Sequence, residues 1–424
     1  MYLRRIRLKN VRAISQLDWV VPSGKEAGWH VIIGDNGAGK STVLRSVALA
    51  LVGPKEAFAL RQNWDDWLTR GTPAGYIRLS IRWNSKLDKF SGSGKTPFGR
   101  LLPLQINFTR LQGDVELKNA TDGKRHVWGN KPGWFSASYG PFRRFAGGDT
   151  DADRIFLSNP KLASHLSVFG ENVALTECLT WLKELKFRKL ENDREGKLLD
   201  SVQAFINQEG FLPYRAQLKE VTSKGVEFVD ANNCQLLVED LSDGYRSVLS
   251  MTFELIRQLS RAYSPSAIFN NDKTKVIVPG VVLIDEVDAH LHPTWQRKIG
   301  LWLREHFPKM QFIVTTHSPL VCQAANVGTV WRLPRPGTKE SGKMLEGLEL
   351  ERLLYGNVLD AYSTEAFGEN VTRSEESKKK LQRLAELNLK ELERKLTNNE
   401  LEEQKQLRAI LPTTAHITTE NLSD

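Results

Sequence analysis

The chain contains 424 residues, of which 40% are hydrophobic and 26% charged, and this composition is typical of a folded globular protein. Its length allows two or three domains, or one large domain that carries an insertion. No run of about eighteen apolar residues is present, so we expect no transmembrane helix and no membrane partner. The formal net charge of +9 at pH 7 favours a polyanionic partner, and contact with DNA or RNA is expected.

Cysteine usage and the N-terminus indicate the compartment. Cys178, Cys234 and Cys322 lie far apart and lack the spacing of metal ligands, so we expect free thiols in a reducing cytosol. The first residues are basic and no apolar segment follows them, so no signal peptide is expected. We therefore predict a cytoplasmic protein.

The chain opens with a predicted strand over residues 3–14, in which basic and apolar side chains alternate. Arg5, Arg7 and Lys9 fall on one face, and apolar residues fall on the other. That pattern is typical of a strand with one solvent-facing side. A second, apolar strand over residues 30–33 leads into a glycine-rich turn.

The glycine-rich turn carries the clearest signal in the sequence. Gly34, four residues and then Gly39-Lys40-Ser41 form the full phosphate-loop pattern, between a predicted strand and a helix. Glycines let successive backbone N–H groups point at one anion, and the following helix directs its positive end there. Lys40 would reach the β- and γ-phosphates, and Ser41 would hold Mg²⁺ through its hydroxyl. The predicted nucleotide-binding residues are Asn36, Gly37, Ala38, Gly39, Lys40, Ser41 and Thr42.

An antiparallel sheet is expected beside the phosphate loop. Alternation over residues 76–83 predicts a strand with one buried face, and a second strand is predicted over residues 104–110. The turn at residues 138–144 carries an aromatic residue with Arg143 and Arg144. That turn is either a contact for nucleotide or nucleic acid or an ordinary surface loop.

The region from about 150 to 225 is predicted to be mostly helical, because leucines recur at helical spacing among Glu and Lys residues. Heptads extend over only a few turns, so no long coiled coil is expected. Asp149, Asp151 and Asp153 have an Asp-x-Asp-x-Asp spacing in a Gly/Thr loop, and we interpret them as a solvated turn.

The segment Leu241-Ser242-Asp243-Gly244 follows a strand predicted over residues 228–237 and precedes a predicted helix. Ser242 and Gly244 could present a hydroxyl and a backbone N–H to a phosphate. From these residues alone, a serine N-cap is the simpler interpretation.

Residues 276–284 form a continuous apolar run that predicts a central buried strand, and it ends in Asp285 and Glu286. Carboxylates at the carboxyl edge of such a sheet lie beside the phosphate loop. Asp285 would hold Mg²⁺ through water, and Glu286 would orient and deprotonate the attacking water. A further buried strand over residues 310–316 precedes His317, a candidate sensor of the γ-phosphate.

The C-terminal stretch over residues 374–410 is predicted to form two charged helices that are separated near Thr397. The last dozen residues are expected to be disordered.

Four motifs resemble, in order, parts of the ABC-type ATPases. Residues 34–42 resemble the Walker A loop, residues 241–244 the signature, residues 285–288 the Walker B motif and D-loop, and residues 316–318 the H-loop. The opening basic strand and the residues that follow Asp285 are similar to the RecF/SMC/OLD branch of that family.

The resemblance implies an α/β fold, namely an ABC-type P-loop ATPase head with a mixed sheet whose N-terminal part is antiparallel. It also implies an inserted, mostly helical lobe and a C-terminal helical appendage. The expected division is 1–145 and 231–370 for the two parts of the head, 146–230 for the lobe and 371–424 for the charged tail. The motifs of the family extend from residue 1 to about residue 335.

The resemblance further implies ATP and Mg²⁺ as ligands and a head-to-tail dimer or a larger homo-oligomer. Ser242 and Gly244 of one subunit would complete the ATP site that Lys40, Asp285 and Glu286 form in the other.

The same resemblance implies roles for His317 and Asp288 and predicts no metal at two further histidines. His317 would contact the γ-phosphate, and Asp288 would lie at the dimer seam. His290 and His292 occupy positions where the family binds no metal, so we expect none there.

Two departures from the family pattern stand out. The signature has Asp243 where a second glycine is usual, which removes one backbone contact to phosphate. No glutamine has the expected context of a Q-loop, although Gln62, Gln105 and Gln112 are possible.

Within the branch, the sequence between the Walker A motif and the signature is too short for long coiled-coil arms, and the C-terminal part lacks a Toprim metal cluster. The chain therefore resembles the ATPase subunit of Septu-type anti-phage systems and their retron-associated relatives, which pair with a separate HNH nuclease. The alternative is a RecF-like repair ATPase that clamps DNA. A third possibility is that nucleotide acts mainly as a regulatory ligand with slow hydrolysis. The charged tail would be either a docking arm, which favours the Septu-type ATPase subunit, or a hairpin that packs on its own head.

Overall fold

A computed structural model describes most of the chain. The described residues are 1–60, 62–84, 88, 101–119, 123, 127–128, 134–143, 159–170, 177–212, 215–230, 232–338, 340–357 and 375–411. The chain divides into two compact units, Met1–Ala361 and Tyr362–Asp424. Within the described ranges, no helix combines the length and the apolar composition that crossing a membrane requires. The predicted internal boundaries of the head, lobe and tail stay predictions.

Strands and helices alternate through the first unit, and the second unit is helical. The described strands are β1 (Tyr2–Val11), β2 (Ile14–Val20), β3 (Gly28–Ile33), β4 (Ala74–Arg82), β5 (Leu101–Leu111), β6 (Asp114–Asn119), β7 (Ser136–Tyr139), β8 (Gln217–Val221), β9 (Val226–Val229), β10 (Gln235–Leu237), β11 (Gly280–Ile284), β12 (Met310–Thr315), β13 (Gly328–Arg332) and β14 (Lys343–Met344). The described helices are α1 (Lys40–Val52), α2 (Pro54–Ala57), α3 (Pro160–Ala163), α4 (Glu177–Leu190), α5 (Lys197–Ile206), α6 (Asp243–Ala262), α7 (Pro265–Ile268), α8 (Pro293–His306), α9 (Pro319–Cys322), α10 (Gly347–Tyr355), α11 (Glu375–Glu393) and α12 (Asn398–Ile410).

The first sheet is antiparallel, with the strand order β2-β1-β4-β5-β6. Side chains alternate between its two faces, so that Ile6 and Leu8 of β1 and Ile77 and Leu79 of β4 are buried. They pack in one hydrophobic core with most of α1. The other face of the sheet carries the basic residues of β1, as the alternation predicts.

The second sheet has the order β14-β13-β3-β12-β11-β7, and its strands from β13 to β7 pair in parallel. Every residue of β3, β11 and β12 is buried, which explains their continuous apolar composition. The strand predicted over residues 276–284 begins only at Gly280, because Pro279 has no N–H to donate to a ladder. Val276 forms an isolated bridge with Phe269 instead. The predicted mixed α/β head is confirmed.

A third, small sheet follows the helices α3, α4 and α5 of the region predicted to be mostly helical, and only its strand β8 lies within residues 150–225. There, β8 pairs with β9, and β10 completes the sheet. The backbone N–H of Thr222 donates to the carbonyl of Gly225 at 2.8 Å, which closes a tight turn and favours pairing over a helix. The strand predicted over 228–237 is also interrupted, because the Asp230 carboxylate accepts backbone hydrogen bonds and forms a turn.

Some sequence features fall outside the described residues. They are Arg144, Asp149, Asp151, Asp153 and the last dozen residues.

In the second unit, α11 and α12 share a small leucine core formed by Leu384, Leu387, Leu407 and Leu411. The break between them lies at Thr397, which caps α12 in a reciprocal capping box with Glu400. Charged pairs surround this core, and Arg383 donates to the Glu403 carboxylate at 2.9 Å. The predicted pair of charged helices is therefore confirmed.

Candidate functional site

The predicted motifs lie along one edge of the parallel sheet. The four neighbouring strands β3, β12, β11 and β7 run in the same direction, so the segments that follow them meet at their carboxyl ends. These segments are the phosphate loop at 34–39, the H-loop at 316–318, the Walker B motif and D-loop at 285–291, and residues 140–143.

The phosphate loop has the backbone that its glycines predict. Gly34, Gly37 and Gly39 adopt φ angles of 154°, 79° and 98°, in the region that L-residues rarely enter. A Cβ at Gly39 would lie 3.1 Å from the side chain of Ile14, so the loop could not accept one freely. Helix α1 begins at Lys40, with its free N–H groups directed at the loop. This cradle fits a phosphate group.

Lys40 lies inside the loop and beside the acidic motif. Its ammonium group donates to the carbonyl oxygens of Gly34 at 2.7 Å and Asp35 at 3.0 Å. Burial lowers the pKa of Lys40, and the carboxylates of Glu286 and Asp285 act in the opposite direction. The structure therefore brings the predicted Walker A lysine together with both predicted Walker B acids.

Asp285 and Glu286 are held by Thr315, the last residue of β12. The Thr315 hydroxyl donates to the Asp285 carboxylate at 2.5 Å, and it accepts from the backbone N–H of Glu286 at 2.7 Å. Asp285 is 2% exposed, whereas Glu286 is partly exposed. Glu286 has a φ of 46°, a conformation that costs on the order of 1–3 kcal/mol in a non-glycine residue. The hydrogen bonds of Thr315 thus fix the turn that carries both acids.

The D-loop contacts the H-loop directly. The backbone N–H of His317 donates to Asp288 Oδ2 at 3.4 Å, and the imidazole is exposed. The other oxygen of Asp288, Oδ1, is buried and has no hydrogen-bond partner among the described residues. His317 therefore presents its side chain on the same edge as Lys40 and Glu286.

Arg143 is a buried residue beside the site, and the sequence left its place open. It is only 5% exposed, and burial lowers the pKa of its guanidinium to about 10. Its Nη1 donates to the carbonyls of Gly140 and Asp285, both at 3.0 Å, and its Nε donates to the Ser247 hydroxyl at 2.9 Å. Its Nη2 donates to the carbonyl of Glu286 at 3.2 Å. Arg143 is thus an interior brace, neither a surface residue nor a direct contact for nucleic acid.

The structure also places the candidate Q-loop residues. The segment that follows β7, beside the Walker B strand, is Gly140-Pro141-Phe142-Arg143 and contains no glutamine. Gln105 lies on β5, Gln112 lies in the turn between β5 and β6, and Gln62 lies before β4. None of the three is at the carboxyl edge of the parallel sheet.

The signature lies at the start of α6. Ser242 occupies the N-cap position, as the simpler interpretation predicts, although its hydroxyl makes no capping hydrogen bond. Ser242 and Gly244 line a cleft of about 660 Å³ together with His290, Trp295 and Lys298. The described lining of this cleft contains no residue of the phosphate loop. The structure therefore does not bring the signature to Lys40 within one chain.

His292 has a local structural role. It precedes α8 and accepts a hydrogen bond from the backbone N–H of Thr294 at 3.3 Å, which caps that helix. His290 has a φ of 64° and lies in the turn that joins Asp288 to the helix.

Two family models match the chain. Residues 160–323 match a model described as "AAA domain, putative AbiEii toxin, Type IV TA system", and residues 5–110 match one described as "AAA domain". These two ranges contain all four predicted motifs in full. They also contain the signature helix α6.

Curated relatives and a solved structure agree with these matches. The Septu protein PtuA of Bacillus mycoides (strain KBAB4) is 27% identical over 381 residues, which are 86% of this chain and 45% of that protein. The Retron Ec83 probable ATPase of Escherichia coli is 40% identical over 123 residues, which are 29% of this chain and 22% of that protein. The crystal structure of an SMC head bound to the C-winged helix domain of ScpA shares the fold, with a TM-score of 0.50 and 16% identity over 82% of this chain and 99% of that one.

The chain is therefore similar in sequence to PtuA and retron ATPases, and its head has the fold of an SMC head. The matched part spans less than half the length of PtuA from Bacillus mycoides and of the Retron Ec83 probable ATPase. The phosphate loop, Walker B motif and H-loop of this chain meet at one sheet edge, where the sequence predicts a nucleotide site. The roles of the individual site residues stay predictions.

Proposed function

We propose that this PtuA-like chain binds and hydrolyses ATP at a site that two copies share, and that it regulates a separate HNH nuclease in anti-phage defence. The observation that carries the proposal is the meeting of Lys40, Asp285, Glu286 and His317 at one sheet edge. The signature residues, in contrast, line a separate cleft of the same chain.

Nucleotide binding rests on the phosphate loop. The N–H groups at the start of α1 and the Lys40 ammonium would hold the β- and γ-phosphates. Ser41 and Asp285 are the residues that would hold Mg²⁺, and the ion supplies neutralisation of phosphate charge when bound. Asp285 suits this role because its carboxylate is buried and fixed by Thr315.

Hydrolysis rests on Glu286. Its backbone is fixed by Thr315, and its side chain is partly exposed at the edge where the γ-phosphate would lie. A carboxylate in that place would orient the attacking water and accept its proton. His317 would contact the γ-phosphate from the neighbouring strand. Glu286 has a strained φ, and this conformation also fits a site that hydrolyses ATP slowly and uses the nucleotide as a regulatory ligand.

A dimer would bring the signature residues to a phosphate loop, which a single chain does not do. Ser242 and Gly244 face the cleft beside the D-loop, where a Cβ on Gly244 would lie 3.5 Å from the carbonyl of His290. A second copy, arranged head to tail, would place its phosphate loop against this cleft, and the signature would then contact the γ-phosphate in trans.

A role in defence is supported by the similarity to the Septu protein PtuA and to the Retron Ec83 probable ATPase. An alternative function is a RecF-like repair ATPase that clamps DNA. The formal net charge of +9 favours DNA contact in either case.

The test is the mass and the nuclease activity of the natively co-purified complex, with and without ATP, for wild type and Glu286→Gln. We expect a stable nuclease partner whose cutting responds to ATP. We also expect Glu286→Gln to bind ATP and to hydrolyse it about 10²–10⁴-fold more slowly, because the positioned base is lost. Glu305→Gln, an exposed change of the same kind on α8, is the matched control.

A chain that purifies alone and binds DNA only with ATP would overturn the defence proposal and support the RecF-like clamp. Unchanged hydrolysis in Glu286→Gln would instead remove Glu286 from its proposed role.

A further inference from the structure

The solvent-facing side of the antiparallel sheet carries a cluster of positive charge, here named the basic sheet face. It consists of Arg5, Arg7 and Lys9 on β1 and Tyr76 and Arg78 on β4. These residues alternate with the buried residues of the core, so they all lie on the opposite side of the sheet from α1.

The register of the strands places like charges side by side. Arg7 is directly opposite Arg78, and Lys9 is opposite Tyr76. Like charges at opposed positions of an antiparallel pair destabilise the sheet. The fold therefore maintains a repulsion that a bound anion would relieve.

The neighbouring carboxylate neutralises only Arg5 of this cluster. Asp18 of β2 is opposite Arg7, but its oxygens accept from Arg5 at 2.7 and 2.5 Å in a two-point ion pair. Among the described residues, Arg7, Lys9 and Arg78 form no ion pair with a carboxylate. The Nε of Arg7 is buried from solvent and has no hydrogen-bond partner within the described ranges.

The side chains beside these cations fix the Arg78 guanidinium. Its Nε donates to the Gln105 side-chain oxygen, and its Cζ lies 5.7 Å from the centre of the Tyr76 ring. Further along the sheet, Lys118 and Glu116 pair at 2.7 Å and neutralise one another. The unbalanced positive charge is therefore concentrated on β1 and β4.

We propose that the basic sheet face binds the sugar–phosphate backbone of duplex DNA. Alternate residues of a strand are about 6.8 Å apart. This distance is close to the separation in space of successive phosphates of one DNA strand, because the phosphates follow a helical path around an axial rise of about 3.4 Å. Arg7 and Lys9 thus have the spacing of successive phosphates. Tyr76 is the aromatic residue of this face, and single-strand binders stack successive bases on several such rings. The face is therefore a backbone contact for duplex DNA.

This inference rests on the proposed function only for its choice of DNA as the partner. The basic sheet face contains none of the predicted ATP-site residues, so DNA binding and ATP turnover can be measured separately in the same variant.

The experiment compares wild type with the triple variant Arg7→Gln/Lys9→Gln/Arg78→Gln. Binding to a 30-base-pair duplex is measured by fluorescence anisotropy over a range of salt concentrations, with and without ATP. The matched control is Lys197→Gln/Lys219→Gln/Lys224→Gln, which removes the same charge from exposed positions on α5, on β8 and in the turn after β8. ATP turnover of every variant is recorded in parallel.

We expect the triple variant to bind the duplex at least about tenfold more weakly. Its slope of log affinity against log salt should fall by about 2.7, which is about 0.9 for each lost phosphate contact. The control should keep the slope of wild type, and ATP turnover should be the same in all three proteins. Single-stranded DNA of the same length should bind more weakly than the duplex.

An equal loss in the control and the triple variant would overturn the inference, because net charge and not this face would then set affinity. Preference for single strands, or a wild type that binds no DNA while it hydrolyses ATP, would also overturn it. In each of these three cases the proposed ATPase function would stand, since its own readout is ATP turnover.

Discussion

Arg143 connects three segments that are far apart in the sequence. Its guanidinium contacts Gly140, which follows β7, the carbonyls of Asp285 and Glu286, and Ser247 in the signature helix. A buried cation is stable only where its N–H groups are satisfied, and here carbonyl oxygens and a hydroxyl satisfy them. The brace therefore ties the position of α6 to the turn that holds Glu286.

This arrangement predicts the effect of Arg143→Lys, which keeps the charge but loses the planar fork of donors. We expect ATP turnover to fall by about 10–100-fold, because hydrogen bonds to charged groups contribute about 1.5–3 kcal/mol. ATP binding should change little, since Arg143 does not contact the phosphate loop. Turnover and binding are measured for Arg143→Lys, Ser247→Ala and the double variant.

If Arg143 acts through α6, the double variant should be no slower than Arg143→Lys alone, because Ser247 then has no partner left to lose. Fully additive losses would contradict this coupling. Arg261→Lys, at an exposed position of the same helix, is the matched control.

The sequence predicted the charged and glycine residues of the site but not the residues that position them. Lys40 belongs to a pattern with fixed spacing, and Asp285 and Glu286 end an apolar run that is a strong signal only together with that pattern. Arg143 and Thr315 act through partners that are distant in the chain, and no local spacing reveals such contacts. The buried place of Arg143 becomes visible only when β7 lies beside β11.

At the scale of elements, the second unit provides a helix whose start depends on one carboxylate. Glu400 accepts hydrogen bonds from the backbone N–H of Thr397 at 3.0 Å and from Arg394 at 2.9 Å, and these hold its pKa at about 2. Its ordinary value is 4.5. A lowered pKa means that the stabilisation is complete above pH 4.5 and is lost as the pH falls towards 2.

We therefore expect the backbone amides of α12 to lose protection from hydrogen exchange between pH 4.5 and pH 2. In Glu400→Gln the protection should be lower at neutral pH and nearly independent of pH in that window. Exchange is measured in the full chain and corrected for the intrinsic rate at each pH. Glu402→Gln, on the same helix, should behave as wild type, and an equal effect there would contradict the role of Glu400.

Element types followed from the sequence where local signals were strong. The two charged helices α11 and α12 separate at Thr397 as predicted, because Thr397 caps α12 together with Glu400. The prediction failed for β8, since a strand that pairs through a tight turn at Thr222 has a polar, uneven pattern of its own. Its pairing with β9 is a tertiary contact, and local propensity does not encode it.

At the scale of the whole molecule, one sheet edge organises the head. The phosphate loop, the acidic turn and the H-loop follow neighbouring parallel strands, so the order of those strands brings the site together. The sequence predicted that edge, because buried runs that end in acid or glycine are typical of parallel strands. It could not predict that the signature faces a cleft away from Lys40, which depends on how α6 packs.

The head-to-tail dimer is the central claim of this account, and an ATP-dependent cross-link tests it most directly. Asp35→Cys and Asp243→Cys place one thiol beside the phosphate loop and one beside the signature, both at exposed positions. The background carries Glu286→Gln to slow hydrolysis and Cys234→Ser, because Cys234 is the exposed native thiol among the three free cysteines. A short bis-maleimide then joins the two sites.

We expect a covalent dimer on a denaturing gel with ATP and Mg²⁺, and none without nucleotide, with either single cysteine or with Lys40→Ala added. A protein that binds ATP normally yet forms no cross-linked dimer would contradict the shared site.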